Sequence, residues 1–148
     1  MASNVLLSGP AGGGKSSHAR RLRARTQGPL VLVEWQELYR AVTGTRRGPD
    51  GKYPERTEAD HSLYPLVTYL RTTAIRQAVA RDLPLIVTNS DGHPGRRRRL
   101  LELMGGSLDA TERIIDPGRQ VVEERLAGPD GVLSDQCAGA VDRWYGRL

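Results

Sequence analysis

Short apolar runs alternate along this chain with longer segments in which apolar positions recur every three or four residues. Asn4–Ser8, Leu30–Glu34, Leu83–Thr88 and Thr111–Asp116 are runs of strand length bounded by turn residues, and they predict buried strands. Ser16–Arg25, Gln36–Val42 and Arg96–Met104, the last just behind Pro94, predict helices. A stronger helix follows the spacing of Leu63, Leu66, Val67, Leu70, Ala74 and Ala78. Asp116-Pro117 reads as an N-cap with proline at the first helical position, opening a helix to about Ala127. Gly128–Leu133 is rich in turn residues, and Ser134 is placed to cap a last helix with Cys137, Val141, Trp144, Tyr145 and Leu148 on its apolar side. The exception to the alternation is Gly44–His61, a polar segment with turn signals at Gly48-Pro49-Asp50-Gly51 and Pro54. It reads as one long loop, and loops of that length in small domains are usually functional or disordered.

Strands that alternate with helices imply an α/β fold with a parallel sheet covered on both faces, here as a single domain over 1–148. Ligands of such sheets bind beyond the carboxyl ends of the strands. The stretches that follow Ser8, Val33, Thr88 and Ile115 are therefore where chemistry is expected.

The first of these is the most specific. Gly9-Pro10-Ala11-Gly12-Gly13-Gly14-Lys15-Ser16 matches the pattern G-x-x-x-x-G-K-[ST], with an apolar strand entering and a helix leaving. Glycines let the backbone wrap so that successive N–H groups face phosphate oxygens, and the helix N-terminus adds the positive end of its dipole. Lys15 is expected at the β- and γ-phosphates of a nucleoside triphosphate, and Ser16 at Mg²⁺, with Ser17 completing the binding segment. Lys15 and Lys52 are the chain's two lysines among 22 basic residues, so a lysine at the required position is informative.

Composition narrows the setting. A chain of 148 residues suffices for one core, and no apolar run approaches the length of a membrane span. With no signal-like N-terminus, the expectation is a soluble cytoplasmic protein without a membrane partner. The lone Cys137 reads as a small buried hydrophobe. The net charge of +5 fits an anionic partner, nucleotide or nucleic acid. A GTPase base-reading motif Asn-Lys-x-Asp is absent, and the third strand runs into Thr88-Asn89-Ser90-Asp91 with no acid directly at its end, unlike a motor ATPase.

Phosphoryl transfer benefits from a carboxylate near the acceptor hydroxyl. Glu34 ends the second strand and faces the cleft if the pleat has the right phase; Glu37 lies one helical turn on. Either can be the base or a solvated glutamate. Asp91 can support Mg²⁺ through water or cap the helix that follows. Four consecutive arginines, Arg96–Arg99, spread around a helix, so one or two at most face a ligand and the rest face solvent. Arg46, Arg47, Lys52 and Arg56 can close over a substrate or decorate a soluble loop. His61 and His93 lack metal-site spacing. Trp35, Tyr39 and Tyr64 fit either base stacking or packing, and Trp144 and Tyr145 fit the core.

The order of elements resembles the P-loop kinases, in particular the polynucleotide 5′-kinase branch. Glu37-Leu38-Tyr39-Arg40 resembles that branch's Asp-x-x-Arg element, and Ile86–Arg99 its strand–Asn–basic-helix stretch. The chain is also similar to small ATPase-like proteins of actinobacterial phages. The kinase resemblance implies a three-layer P-loop fold with about four parallel strands in the order 2-3-1-4. It implies an Mg-ATP-dependent phosphotransferase acting on a nucleic acid 5′-hydroxyl or a nucleotide. Glu37 would take the acceptor proton, Arg40 would steady a phosphate, and Arg125 would begin the lid. An NTPase or nucleotide-binding module of a larger complex, and a small-metabolite kinase, are the alternatives.

Overall fold

The computed structural model describes residues 4–106, 109–128 and 135–147. Four parallel strands, β1 (Asn4–Ser8), β2 (Val31–Glu34), β3 (Leu85–Asn89) and β4 (Ala110–Ile114), form one sheet in the order β2-β3-β1-β4. The expected order 2-3-1-4 is the observed one. β1 lies between two partners, which explains why all five of its residues, Asn4 and Ser8 included, are buried.

The pleat sends alternate side chains to opposite faces. Leu6, Leu85, Val87 and Val33 point to one side, where they meet Ile75 and Ala78 of α4 (Tyr64–Ala80) and Leu100 of α5 (Pro94–Leu103). Val5, Leu7 and Ile86 point to the other, against Ala19 and Leu22 of α1 (Lys15–Arg25). The result is the three-layer arrangement expected of a parallel sheet. α2 (Trp35–Thr43) follows β2 directly and packs on α4.

Several boundaries differ from the sequence reading. The long polar segment is not all loop: Thr57 caps a short helix, α3 (Glu58–His61), through a reciprocal capping box with Asp60. β4 spans Ala110–Ile114 rather than Thr111–Asp116, because the chain leaves the sheet edge once Ile115 has bonded the carbonyl of Ser8. Asp116 and Pro117 are not the N-cap and first residue of the next helix. The Asp116 carboxylate accepts from the Gly118 N–H at 2.9 Å, closing a turn, so α6 (Arg119–Ala127) begins after Gly118. The apolar stripe of α4 keeps Val67, Ala74 and Ala78 on the core side, as expected, but not Leu66. Val67, Ile75 and Ala78 are buried, whereas Leu66 is 45% exposed, and the position between Val67 and Ile75 on the buried side is Arg71.

A smaller cluster joins Val122 and Leu126 of α6 to Val141 of α7 (Asp135–Arg147). Trp144 is fully buried, as expected; its ring rests on Gly92, where an added Cβ would sit 3.1 Å from it. Tyr145 is only half-buried, and its hydroxyl donates to Asp116 at 2.6 Å. The expected cap at Ser134, the turn residues 129–133 and the side chain of Cys137 lie outside the described residues.

Candidate active site

The carboxyl ends of β1, β2 and β3 open onto a cleft of about 1650 Å³. Its floor is the loop between β1 and α1. Gly9 leaves the sheet donating its N–H to the Asn89 carbonyl at 3.1 Å, and it passes so close to β4 that an added Cβ would lie 2.1 Å from the Ile115 oxygen. Gly14, with φ 94, then turns the chain into α1 in the left-handed region that glycine alone occupies without strain. No side chain caps this helix and no acid lies in its first turn, so its first N–H groups and positive dipole end are left for an anion. These features fit a nucleotide phosphate chain. Ala11, Gly12, Gly13, Gly14, Lys15, Ser16 and Ser17 all line the cleft, while Gly9 and Pro10 form the backing behind it.

Lys15 is buried, at 8% exposure, and its ammonium donates to the carbonyls of Gly9 at 2.9 Å and Pro10 at 2.7 Å. Burial pulls its pKa from 10.5 down to about 8, against the raising effect of the nearby Glu34 carboxylate. Glu34 ends β2 with its side chain in the cleft, so the pleat turns it inward. It accepts from the Ser16 hydroxyl at 2.7 Å. Glu37 also lines the cleft, but its carboxylate is 59% exposed and engaged by Arg40 at 2.6 Å. Arg125, from α6, reaches across and donates to the Gly12 carbonyl at 3.3 Å. The structure thus gathers Lys15, Ser16, Glu34, Glu37, Arg40, Asp91 and Arg125 around one cavity.

Asp91 does not occupy the N-cap of α5. That position belongs to His93, whose ring nitrogen accepts from the Gly95 N–H at 3.1 Å. Asp91 instead accepts from the His93 N–H at 2.9 Å and from Arg96 at 2.7 Å. The four arginines separate as helical geometry requires. Arg96 turns to the cleft, Arg97 pairs with Glu112 of β4 at 2.7 Å, and Arg98 and Arg99 are exposed. Among the described residues no cluster of three His, Cys, Asp or Glu side chains could hold a metal ion, so Ser16 with its neighbouring acid is the candidate magnesium position.

Trp35, Tyr39 and Tyr64, expected to stack on a base or to pack, form an aromatic wall on the β2 side of the cleft. Trp35 stacks parallel on Tyr39 at 5.7 Å between centroids, and Tyr64 meets both edge-on. The Arg56 guanidinium lies 4.1 Å from the Tyr39 centroid, donates to the Tyr64 hydroxyl at 2.7 Å and bonds Gln36. Arg40 and Arg47 similarly cover Tyr53, at 3.9 and 4.9 Å. These cation–π contacts hold the 44–57 loop against α2 and α4, where it forms a side of the cleft. Tyr39 is 4% exposed and packs beneath Arg56.

No protein-family model matches the sequence, and no curated protein matches it. Solved structures do share the fold. A chain of the Pnkp1/Rnl/Hen1 RNA repair complex superposes with a TM-score of 0.68 at 13% identity, over 99% of this chain and 45% of that one. In a second structure of a Pnkp1/Rnl/Hen1 complex the matched chain is spanned to 38% of its length, so this protein covers less than half of either. A gluconokinase from Sinorhizobium meliloti 1021 superposes with a TM-score of 0.60 at 17% identity, over 99% of this chain and 74% of that one. A sugar kinase from Janibacter sp. HTCC2649 gives 0.53 at 19% identity, over 86% and 67%. The fold is therefore the P-loop α/β fold that these kinase structures share.

Proposed function

We propose that this protein is an Mg-ATP-dependent phosphotransferase acting on a hydroxyl of a nucleic acid 5′ end or a nucleotide. The observation that carries the reading is the contact between Ser16 and Glu34, which sets a carboxylate at the mouth of the phosphate loop. Bound Mg-ATP would supply the transferable γ-phosphoryl group and the metal that neutralises its charge. The loop N–H groups and Lys15 would hold the phosphate chain, the Ser16 hydroxyl would serve as a ligand of the metal, and Arg125, which reaches the Gly12 carbonyl, would balance charge at the transferred group. Glu34, released from Ser16, takes the proton of the acceptor hydroxyl. Glu37, held by Arg40 and largely exposed, is the weaker candidate for that role. Arg40 steadies a phosphate on the acceptor side. At the end of β3, the buried Asn89 amide bonds the Asp91 carbonyl at 2.9 Å, where a motor ATPase would carry an acid.

The test is transfer of labelled phosphate from ATP, screened over 5′-hydroxyl DNA and RNA, nucleosides, nucleotides, sugar acids and water. Transfer to at least one hydroxyl is expected. Release to water alone would replace this reading with an NTPase, and neither transfer nor release would leave a binding module.

A further inference from the structure

The positive charge of this chain is concentrated in one element. Five of its 22 basic residues lie in α1, which holds no acid, and the other 17 equal the 17 acids of the remaining chain. The formal net charge of +5 therefore belongs to one helix of 11 residues. Lys15 is buried against the carbonyls of Gly9 and Pro10, but Arg20, Arg21, Arg23 and Arg25 are all exposed. None of these four forms an ion pair with a described residue, whereas Arg40, Arg96, Arg97 and Arg119 each do.

Helical geometry brings two of them together. Arg21 and Arg25 stand one turn apart, on the side of α1 that His18 begins, while Arg23 falls on the opposite side. The Arg21 guanidinium meets Nδ1 of His18 at 3.4 Å, a ring and not a carboxylate. β4 adds Arg113. It is the register partner of Leu7, and Leu7 packs in one cluster with Ala19 of α1, so Arg113 leaves the sheet on the face that α1 covers. β4 is the last strand of the sheet, and Arg113 is exposed there without an acid partner among the described residues. Burial first, and then the charges of Arg21, Arg113 and Arg25, hold the His18 pKa below its ordinary value. Like charges gathered without acids repel one another, and an anion laid across them removes the repulsion. The acceptor side of the cleft is elsewhere: Glu34, Glu37 and Arg40 stand on β2 and α2, at the other edge of the sheet.

We propose that Arg21, Arg25 and Arg113 form a docking surface for the phosphate backbone of a double-stranded nucleic acid, separate from the acceptor side of the cleft. α1 and β4 carry no aromatic residue on which the bases of a single strand could stack. Protein interfaces are built round an apolar centre, and this surface has none. The exposed large apolar side chains are Leu66, Tyr69 and Val79 on α4, and Ile114, which pairs with Ser8 and leaves β4 on the opposite face. A duplex offers one negative charge per about 1.7 Å of its axis, and guanidinium forks bind phosphate oxygens through paired donors. Such a surface is independent of the chemistry in the cleft.

The experiment is fluorescence anisotropy of the full chain, with Mg-ADP present, on a DNA duplex closed by a loop at both ends. With no 5′ end, the probe offers the cleft no acceptor. The parent should bind at low salt, with log affinity falling linearly as log salt rises. Arg25→Gln/Arg113→Gln changes two exposed side chains that do not line the cleft. It should bind at least about tenfold more weakly and lose about two units of salt slope, since each phosphate contact contributes about 0.9. Arg98→Gln/Arg99→Gln removes the same charge from exposed positions of α5 and should stay within about twofold of the parent. No binding by the parent, parental binding by Arg25→Gln/Arg113→Gln, or equal losses in the two double variants overturns the surface. Displacement of the duplex by polyglutamate at matched charge assigns the face to an acidic protein and overturns it too. A parent that binds the closed duplex but transfers no labelled phosphate loses the phosphotransferase reading and keeps this surface.

Discussion

The burial of Lys15 makes nucleotide affinity depend on pH in a way that can be worked out in advance. In the free protein the ammonium has a pKa of about 8 instead of 10.5, because burial disfavours its charge. A triphosphate beside it favours the charged form and raises that pKa toward the ordinary value. Near neutral pH about nine in ten free molecules already carry the proton, so binding takes up little. At about pH 9 roughly one in eleven carries it, and the affinity should be about tenfold weaker, with uptake of nearly one proton per nucleotide bound. Stability moves the other way. With a folded pKa below the unfolded one, the unfolded chain binds more protons between about 8 and 10.5, so the nucleotide-free protein should gain stability as pH rises through that window. The assay is calorimetry of Mg-ATP binding in paired buffers of different ionisation enthalpy, with thermal melts of the free protein over the same range. Lys15→Ala should bind weakly and lose the pH dependence. A parent whose affinity is flat from about pH 7 to about pH 9, with no proton uptake, would refute the assignment of Lys15 to the phosphates.

Three further outcomes follow from the geometry. Glu34→Gln should lower phosphate transfer by roughly a hundredfold, the scale for loss of a general base, whereas Glu37→Gln should stay within about threefold of the parent in single-turnover transfer. Equal losses in the two variants would mean that the base is misassigned. Gly9→Ala drives a Cβ against the Ile115 carbonyl, a backbone atom that cannot turn aside, so circular dichroism melts should show a loss of at least about 1–3 kcal/mol together with loss of nucleotide binding. A parental melting profile would show that the β1 exit is less tightly clamped than its distances indicate. Tyr145→Phe removes a hydrogen bond to Asp116 and should cost about 0.5–1 kcal/mol, discounted for partial exposure. Burial raises the Asp116 pKa, but the bonds from Tyr145, the Gly118 N–H and Trp144 hold it below 3.8. Its contribution is therefore present above 3.8 and is lost as pH falls through the lower folded value, so parent and Tyr145→Phe melts should converge in acid. A gap that persists there would remove the carboxylate from the account.

What could be read from the chain was local. The proposed phosphate loop is eight consecutive residues with glycines, a lysine and a hydroxyl at fixed spacing, and no distant contact is needed to recognise the pattern. Glu34 was legible for a similar reason, since a strand's last residue before a helix points into the crevice or away from it and only the phase was open. Asp116-Pro117 carried a valid helix-start signal that lost to a competing use. The carboxylate is taken by the Gly118 N–H and by Tyr145, which is 29 residues away, and no local pattern announces that partner. The same distance hid the Arg56 contacts with Trp35, Tyr39 and Tyr64, which are set by packing of the loop on two helices.

Arg71 shows a different limit. Apolar periodicity finds the buried face of a helix by assuming that charge lies outside, so it passes over a charged residue on that face. The reading ran through Leu63, Leu66, Val67, Leu70, Ala74 and Ala78; Val67 and Ala78 are buried and Ala74 packs against the core, whereas Leu66 is exposed and the fully buried Ile75 was not in it. A helix whose best apolar fit leaves a leucine 45% exposed is one in which something polar has displaced it from the core. The place where core periodicity fails on α4 is where burial has been given up to a charge.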